Sequence, residues 1–406
     1  MEGILEAAKA LQEQIVEDRR ALHQIPEVGL DLPESAAYIK SRLDELGIAW
    51  RAVDYALTPE EEQKFINAGF PRMKRSTGIT ADLGSGRPCI LLRADFDALP
   101  MAEENTDLPF CSKNGAMHAC GHDSHAAMLL GAAKLLKDRE SQLKGTVRLL
   151  FQPGEELGCG SKTMVDMGVL DGVDAAFAIH IMSTTPLGEV TYSTGVNSSS
   201  MDTYLIKIQG RGGHSSMPQL VVDPVNIMNQ LYSALTVLPG RETDPRATVT
   251  LTCAVAHSGS AANVIPDTAE LDVGMRTQDV EARRHLTQRI PELIDAYVKA
   301  WRGSYAMEEF HTPMTVTDEG FCQEVLPALN EVMGEGKVKR VEPMAGTEDF
   351  GHITERVPGA FVVLGAGGPE QYAHHHPKMR LDERVFYQGA AMYANCALEW
   401  LKSKAD

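Results

Sequence analysis

Apolar residues recur at helical spacing among acids over residues 1–24, and again over residues 32–46, which predicts two N-terminal helices. The polar stretch TPEEEQKFINAGFPRMKR, residues 58–75, then interrupts the pattern and reads as an insertion at the surface or at a pocket mouth. Beyond it, short apolar runs alternate with helical patterns. CILLRADFD from Cys89, GTVRLLFQ from Gly145, AAFAIHIM from Ala175 and AFVVLGAG from Ala360 predict buried strands. DSHAAMLLGAAKLL, with Asp123 as N-cap, predicts the helix between the first two. Strand, helix, strand with both strands apolar predicts a largely parallel α/β sheet.

The period changes after residue 195. TYLIKIQG, ATVTLTCAVA, AELDVGMRT and SYAMEEFHT read as strands, with helices in DPVNIMNQLYSALTVL and VEARRHLTQRIPELIDAYVKAW. This β-α-β-β-α-β order predicts a small ferredoxin-like α+β module with an antiparallel sheet. The α/β pattern then returns, with a helix near residues 324–333 and an amphipathic one from Asp382. The simplest organisation is one α/β domain, residues 1–195 and 312–406, interrupted by a second domain, residues 196–311.

Composition narrows the class. A chain of 406 residues with 43% hydrophobic and 23% charged residues is that of a globular protein of more than one domain. Its net charge of −18 argues against nucleic acid or an anionic membrane as partner. No stretch of 18 apolar residues and no secretory signal pattern is visible. Seven scattered cysteines form no disulfide framework, so a reducing, cytoplasmic setting is expected.

Four segments carry candidate chemistry. HACGHDSH packs His118, Cys120, His122, Asp123 and His125 into one loop, and thiolate with imidazole is a donor set that first-row divalent metals prefer. A His-rich polar surface loop is the bland alternative. FQPGEELGCG places Glu155 and Glu156 at the end of a strand, where one carboxylate can bind metal while its neighbour faces a substrate water, or both can be solvated. His180 ends an otherwise apolar run, where a histidine is more often a hydrogen-bonded core residue. His374, His375 and His376 follow the strand from Ala360. Each segment follows or ends a strand of the same α/β domain, and open α/β sheets bind ligands outside the carboxyl ends of their strands. That convergence predicts a metal site.

The order RADFDALP, MHACGHDSHAAMLLGAA, FQPGEE, a His-ending strand, GRGGHSSMP, NVIPDTAELDVGMRT, TEDF and H-x-P resembles the aminoacylase-type metallopeptidases. The similar branch is that of hippurate hydrolases, bacterial N-acyl-amino-acid amidohydrolases and plant auxin-conjugate hydrolases. The resemblance spans nearly the whole chain. It implies a zinc-exopeptidase-like catalytic domain interrupted by a smaller lid domain that dimerises. It implies two divalent metal ions, zinc or manganese with cobalt or nickel as options, held by Cys120, His122, Glu156, His180 and the H-x-P histidine, His375, which His374 and His376 flank. It makes Glu155 the general base. His214 becomes the residue that polarises the scissile carbonyl in the partner subunit's site, and Asn263 and Arg276 the groups that hold the substrate carboxylate. The implied reaction is hydrolysis of N-acyl amino acids or small peptide-like conjugates. A carboxypeptidase, a dipeptidase or an aminobenzoyl-glutamate hydrolase is the alternative on the same scaffold, and a non-catalytic metal-site binder the alternative from another class. The chain departs from the family pattern at Gly154, at Met379 and in the insertion.

Overall fold

The computed structural model describes residues 3–405, and the chain divides into two compact units. One comprises the chain up to Asn197, Thr315–Glu342 and the chain from Asp349 on; the other comprises Ser198–Met314 and Pro343–Glu348. The excursion Pro343–Glu348 leaves no trace in the hydrophobic pattern, which assigned those residues to the α/β domain.

The first unit is built on an eight-stranded sheet in the order Trp50–Ala56, Arg75–Gly84, Thr146–Gln152, Cys89–Asp95, Ala175–Pro186, Gly359–Gly367, Val190–Tyr192, Val338–Arg340. The four strands from Thr146–Gln152 to Gly359–Gly367 pair in parallel, as does the short outer pair Val190–Tyr192 and Val338–Arg340. The other three pairings are antiparallel. The sheet is therefore mixed, and the expected parallel pairing holds at its centre and in the outer pair. The central strands are covered on both faces: Cys89–Asp95 is buried at every position. That leaves no polar face to alternate.

The helix His122–Lys137 packs against Phe386–Ser403 and Gln12–His23. At Gly131 a Cβ would lie 2.8 Å from Ile15 and 3.0 Å from Ala390, so glycine sets how closely these helices approach. Asp123 is not the N-cap of this helix: the cap is Gly121, and Asp123 lies in the first turn, where its carboxylate holds Arg19 at 2.8 Å and His23 at 2.6 Å. The insertion contains a helix, Pro59–Asn67, opened by a capping box between Thr58 and Glu61. Its distal end is tied down by Met73, a buried side chain whose Sδ accepts the Leu30 N–H at 3.2 Å.

The second unit has one antiparallel sheet in the order Val249–Ser258, Thr268–Thr277, Met201–Gln209, Ser304–Thr312. The helices Pro224–Val237 and Val280–Ala300 bury Ile227, Leu231, Leu235, Leu286, Ile290 and Ile294 with Tyr204, Ile206, Leu271 and Val273 from the sheet. The strand Val249–Ser258 is an edge, with Val255 41% exposed.

Candidate metal centre

Parallel pairing of four neighbouring strands brings their carboxyl ends to one edge of the first unit, and the candidate donors follow from those ends. Gly121, at φ +85°, turns the chain between Cys120 and the helix that starts at His122. A Cβ there would lie 2.7 Å from Ile181 Cγ2, so only glycine fits. His122 donates its Nδ1–H to Asp97 at 3.2 Å, which leaves the Nε2 lone pair facing Glu155 at 3.8 Å and Glu156 at 3.9 Å. Glu155 and Glu156 stand on a single 3-10 turn whose flanking residues, Gly154 and Gly158, are both left-handed. Asp97 also accepts the backbone N–H of Glu155 at 3.1 Å and of Glu156 at 3.0 Å.

His180 donates Nδ1–H to the Ile181 carbonyl at 2.5 Å and turns Nε2 toward Cys120 Sγ, 3.5 Å away. The two C-terminal histidines at the site differ in what their nitrogens are doing. His374 Nε2 accepts the Ser183 N–H at 3.1 Å, so the ring proton of the neutral imidazole sits on Nδ1, directed at Cys120 Sγ at 3.5 Å. His375 has the left-handed φ of +62°, rare outside glycine, and its N–H is tied to the Ala119 carbonyl at 3.0 Å. Its Nε2 lies 3.4 Å from Glu156 Oε1. His376 instead stacks on Tyr372, ring centroids 4.2 Å apart.

Two of the donor groups with ligand atoms within 4.8 Å of one another are Cys120, His122 and His180, and Cys120, Glu156 and His375; a third, His122, Glu155 and Glu156, overlaps both. The first two share the sulfur, the arrangement expected of two adjacent cations. The buried atoms fit positive charge. His122 Nε2 is buried and has no hydrogen-bond partner among the described residues, and such a group is costly unless something compensates it. Burial pushes the Cys120 thiol well up, and the Glu156 carboxylate pushes it further, so a thiolate here needs a cation beside it. Burial would also raise Glu156, but the hydrogen bond from His375 and the charge of His122 hold it below its usual range. Thiolate, imidazole and carboxylate are donors that zinc and its neighbours accept.

The profile of the peptidase family M20/M25/M40 matches residues 91–399. The chain belongs to that family. It is similar to an N-acetyl-L-cysteine deacetylase of Bacillus subtilis (strain 168), 36% identical over 98% of this chain and 90% of the relative. It is 33% identical to IAA-amino acid hydrolase ILR1-like 2 of Arabidopsis thaliana, over 99% of this chain and 89% of that one. A Bacillus subtilis structure described as a dinuclear metal binding peptidase from the M20 family superposes with a TM-score of 0.74 at 30% identity, covering 97% of this chain and 99% of that chain. This M20 protein is thus a metal-dependent amidohydrolase, an enzyme of amide or peptide bonds.

Of the residues singled out in the sequence, the fold of this amidohydrolase gathers Cys120, His122, Glu155, Glu156, His180 and His375 in one unit. His214 and Asn263 meet in the other. His214 pairs with Val264 in a two-stranded ladder, and the Asn263 carbonyl accepts the Ser215 N–H at 3.2 Å. His214 Nδ1 accepts the Ser216 N–H at 3.1 Å, which leaves the ring proton on Nε2. Arg276 makes its contacts elsewhere in that unit, with Thr347 at 2.5 Å and Met201.

Of the residues that hold the donors, sequence reasoning named His125 without this role and missed Asp97. Asp97 grips one histidine and two backbone amides of the acidic turn. His125, of the same HACGHDSH cluster, donates Nδ1–H to Asp95 at 2.5 Å and accepts the Ile181 N–H at 2.8 Å, so it fixes the strand beside His180. The only available sign was a pair of acids, Asp95 and Asp97, at the end of an apolar strand, where unpaired charge is rarely buried.

Proposed function

We propose that this M20 enzyme hydrolyses the amide bond of N-acyl amino acids, with Cys120, His122, Glu156, His180 and His375 holding two divalent cations and Glu155 as general base. The observation that carries this reading is the convergence on Cys120 of two donor groups, with Glu155 on the same turn as Glu156 and within reach of His122 but not grouped with Cys120. Bound there, divalent cations polarise a carbonyl oxygen and bring the acidity of a water toward neutrality. Glu155, whose Oε2 faces His122 across 3.8 Å, takes the proton of the attacking water and returns it to the leaving nitrogen. His214 Nε2–H is a donor for the charge growing on the carbonyl oxygen, and the resemblance assigns it to the partner subunit's site. Asn263 and Arg276 are proposed to hold the amino-acid carboxylate. The thiolate favours zinc over harder ions.

The N-acyl class is supported by relatives named for N-acetyl-L-cysteine and IAA-amino acids. A panel of N-acetyl, N-benzoyl and indole-acetyl amino acids against dipeptides, with added Zn²⁺ or Mn²⁺, tests it. We expect release of free amino acid with kcat/KM at least about tenfold higher for the acyl compounds, a difference of roughly 1.4 kcal/mol. Dipeptides turned over faster, or no release at all, would reject the substrate assignment.

Domain roles follow the same reading: the unit with the metal donors is catalytic, and the Ser198–Met314 unit is a lid that pairs two copies. The unpaired edge Val249–Ser258 supports the second role, as does a cleft of about 470 Å³ lined by Val225, Met228, Tyr232 and Ala256. An exposed apolar edge strand is a template for another strand. Light scattering should give a dimer mass at micromolar concentration, and Val255→Glu a monomer; a monomeric parent protein would rule the dimer out. Among the described residues no helix is long and apolar enough to cross a membrane. The free cysteines support a reducing, cytoplasmic setting.

A further inference from the structure

The TEDF segment contributes a residue to the first unit that the reading above does not use. Asp349 is fully buried, and its carboxylate is saturated by three separate segments. One oxygen accepts from Arg93 at 2.7 Å on the strand Cys89–Asp95. Both accept from Gln152 at 2.9 Å, the last residue of the strand Thr146–Gln152. The second also accepts the backbone N–H of Ser161 at 2.8 Å, in the helix Gly160–Asp166. Gln152 and Ser161 are the two ends of the loop that carries Glu155. In the middle of that loop, Glu155 Oε1 lies 3.4 Å from the Asp349 backbone nitrogen, whose N–H it accepts.

We propose that Asp349 is the positioning residue of the general base: its side chain clamps both stems of the 153–160 loop while its own backbone N–H orients the Glu155 carboxylate. The proposal rests on Glu155 being the base. Its physical logic is that a loop held only at its ends retains freedom at its centre. One rigid residue that touches both ends and the centre removes that freedom, and reacting groups lose about 10²-fold in rate for a misplacement near 1 Å. Arg93 makes the clamp rigid, since its other terminal nitrogen holds Asp95 at 2.7 Å, and Asp95 continues through His125 to the Ile181 amide beside His180. A buried ion pair of this kind adds little net stability compared with apolar packing, so geometry is the better account of its presence.

The test is Asp349→Asn, which keeps the shape but turns an accepting oxygen into an NH2 group that faces donors. With the metal-loaded enzyme and the best N-acyl amino acid, kcat should fall about 30–100-fold. KM should stay within about threefold of the parent value and metal content should be unchanged, as expected for a change that acts on the chemical step and not on substrate binding. Gln152→Met, which removes two of the four contacts and adds no charge, should give a smaller loss of the same kind and serves if Asp349→Asn does not fold. In the Glu155→Gln background, Asp349→Asn should cost almost nothing further, because its effect passes through Glu155. Losses that multiply in the double variant, a folded Asp349→Asn with kcat within threefold of the parent, or loss of metal in step with activity would each overturn the proposal. An active Glu155→Gln enzyme would instead remove the base assignment itself.

Discussion

Glu155→Gln is expected to lower kcat by about 10³-fold or more, within the 10²–10⁴ range of general-base catalysis, while the protein keeps its metal content and its KM to within a few-fold. Glutamine matches the shape of glutamate and can still accept the Asp349 N–H, so the turn of Glu155 and Glu156 on Asp97 is preserved. What it cannot do is accept a proton. The contrast with the adjacent residue makes the experiment selective: Glu156 belongs to a donor group with Cys120 and His375, so Glu156→Gln should lose metal as well as rate. Steady-state kinetics and elemental analysis on the same preparations separate the two. If Glu155→Gln hydrolysed the parent's substrate at an undiminished rate, or lost its metal as Glu156→Gln does, Glu155 would not be the base.

The sequence made visible those elements whose physics is local. The strand Cys89–Asp95 opens on an apolar run, Cys89 to Leu92, because both faces are covered, and His122–Lys137 carries a helical period over 16 residues. Trp50–Ala56, with one buried residue in seven, reads as neither period, and the three-residue strands Val190–Tyr192 and Val338–Arg340 are too short to have one. Of these, Trp50–Ala56 and Val190–Tyr192 enter antiparallel pairings, which with those of Arg75–Gly84 make the sheet mixed. The donor types were equally legible, since Cys-x-His and Glu-Glu at strand ends are chemical statements. Which nitrogen each histidine offers is not, because it depends on partners distant in the chain. Ser183, 191 residues before His374, engages its Nε2, and Asp97, 25 residues before His122, leaves that ring's Nε2 exposed to the carboxylates. Asp349 reaches Gln152 across 197 residues. No periodicity records such contacts, which is why the positioning residues had to come from the fold.

Removal of the cations with a strong chelator is expected to abolish turnover to the detection limit and to lower the Tm. The donor cluster is the reason for the second effect. Cys120, Glu155 and Glu156 place up to three negative charges in one cluster, with the buried His122 Nε2 lacking a hydrogen-bond partner among the described residues. A cation that binds this folded arrangement and not the unfolded chain stabilises it by RT ln(1 + [M]/Kd), about 2.7 kcal/mol at one hundred times Kd. For a unit of this size that corresponds to a Tm shift of roughly 5–10 °C. The effect should grow as pH rises through the range where the donors lose their protons, because protons and cations compete for the same lone pairs. The burial that pushes the Cys120 thiol up places its share of that competition on the alkaline side of an ordinary cysteine. Calorimetry of chelated, Zn²⁺-restored and Mn²⁺-restored protein, with activity measured on each, reads both consequences together. Full activity in protein shown by elemental analysis to be metal-free would dissolve the whole assignment. Restored activity without a restored Tm would place the activating cation outside this cluster.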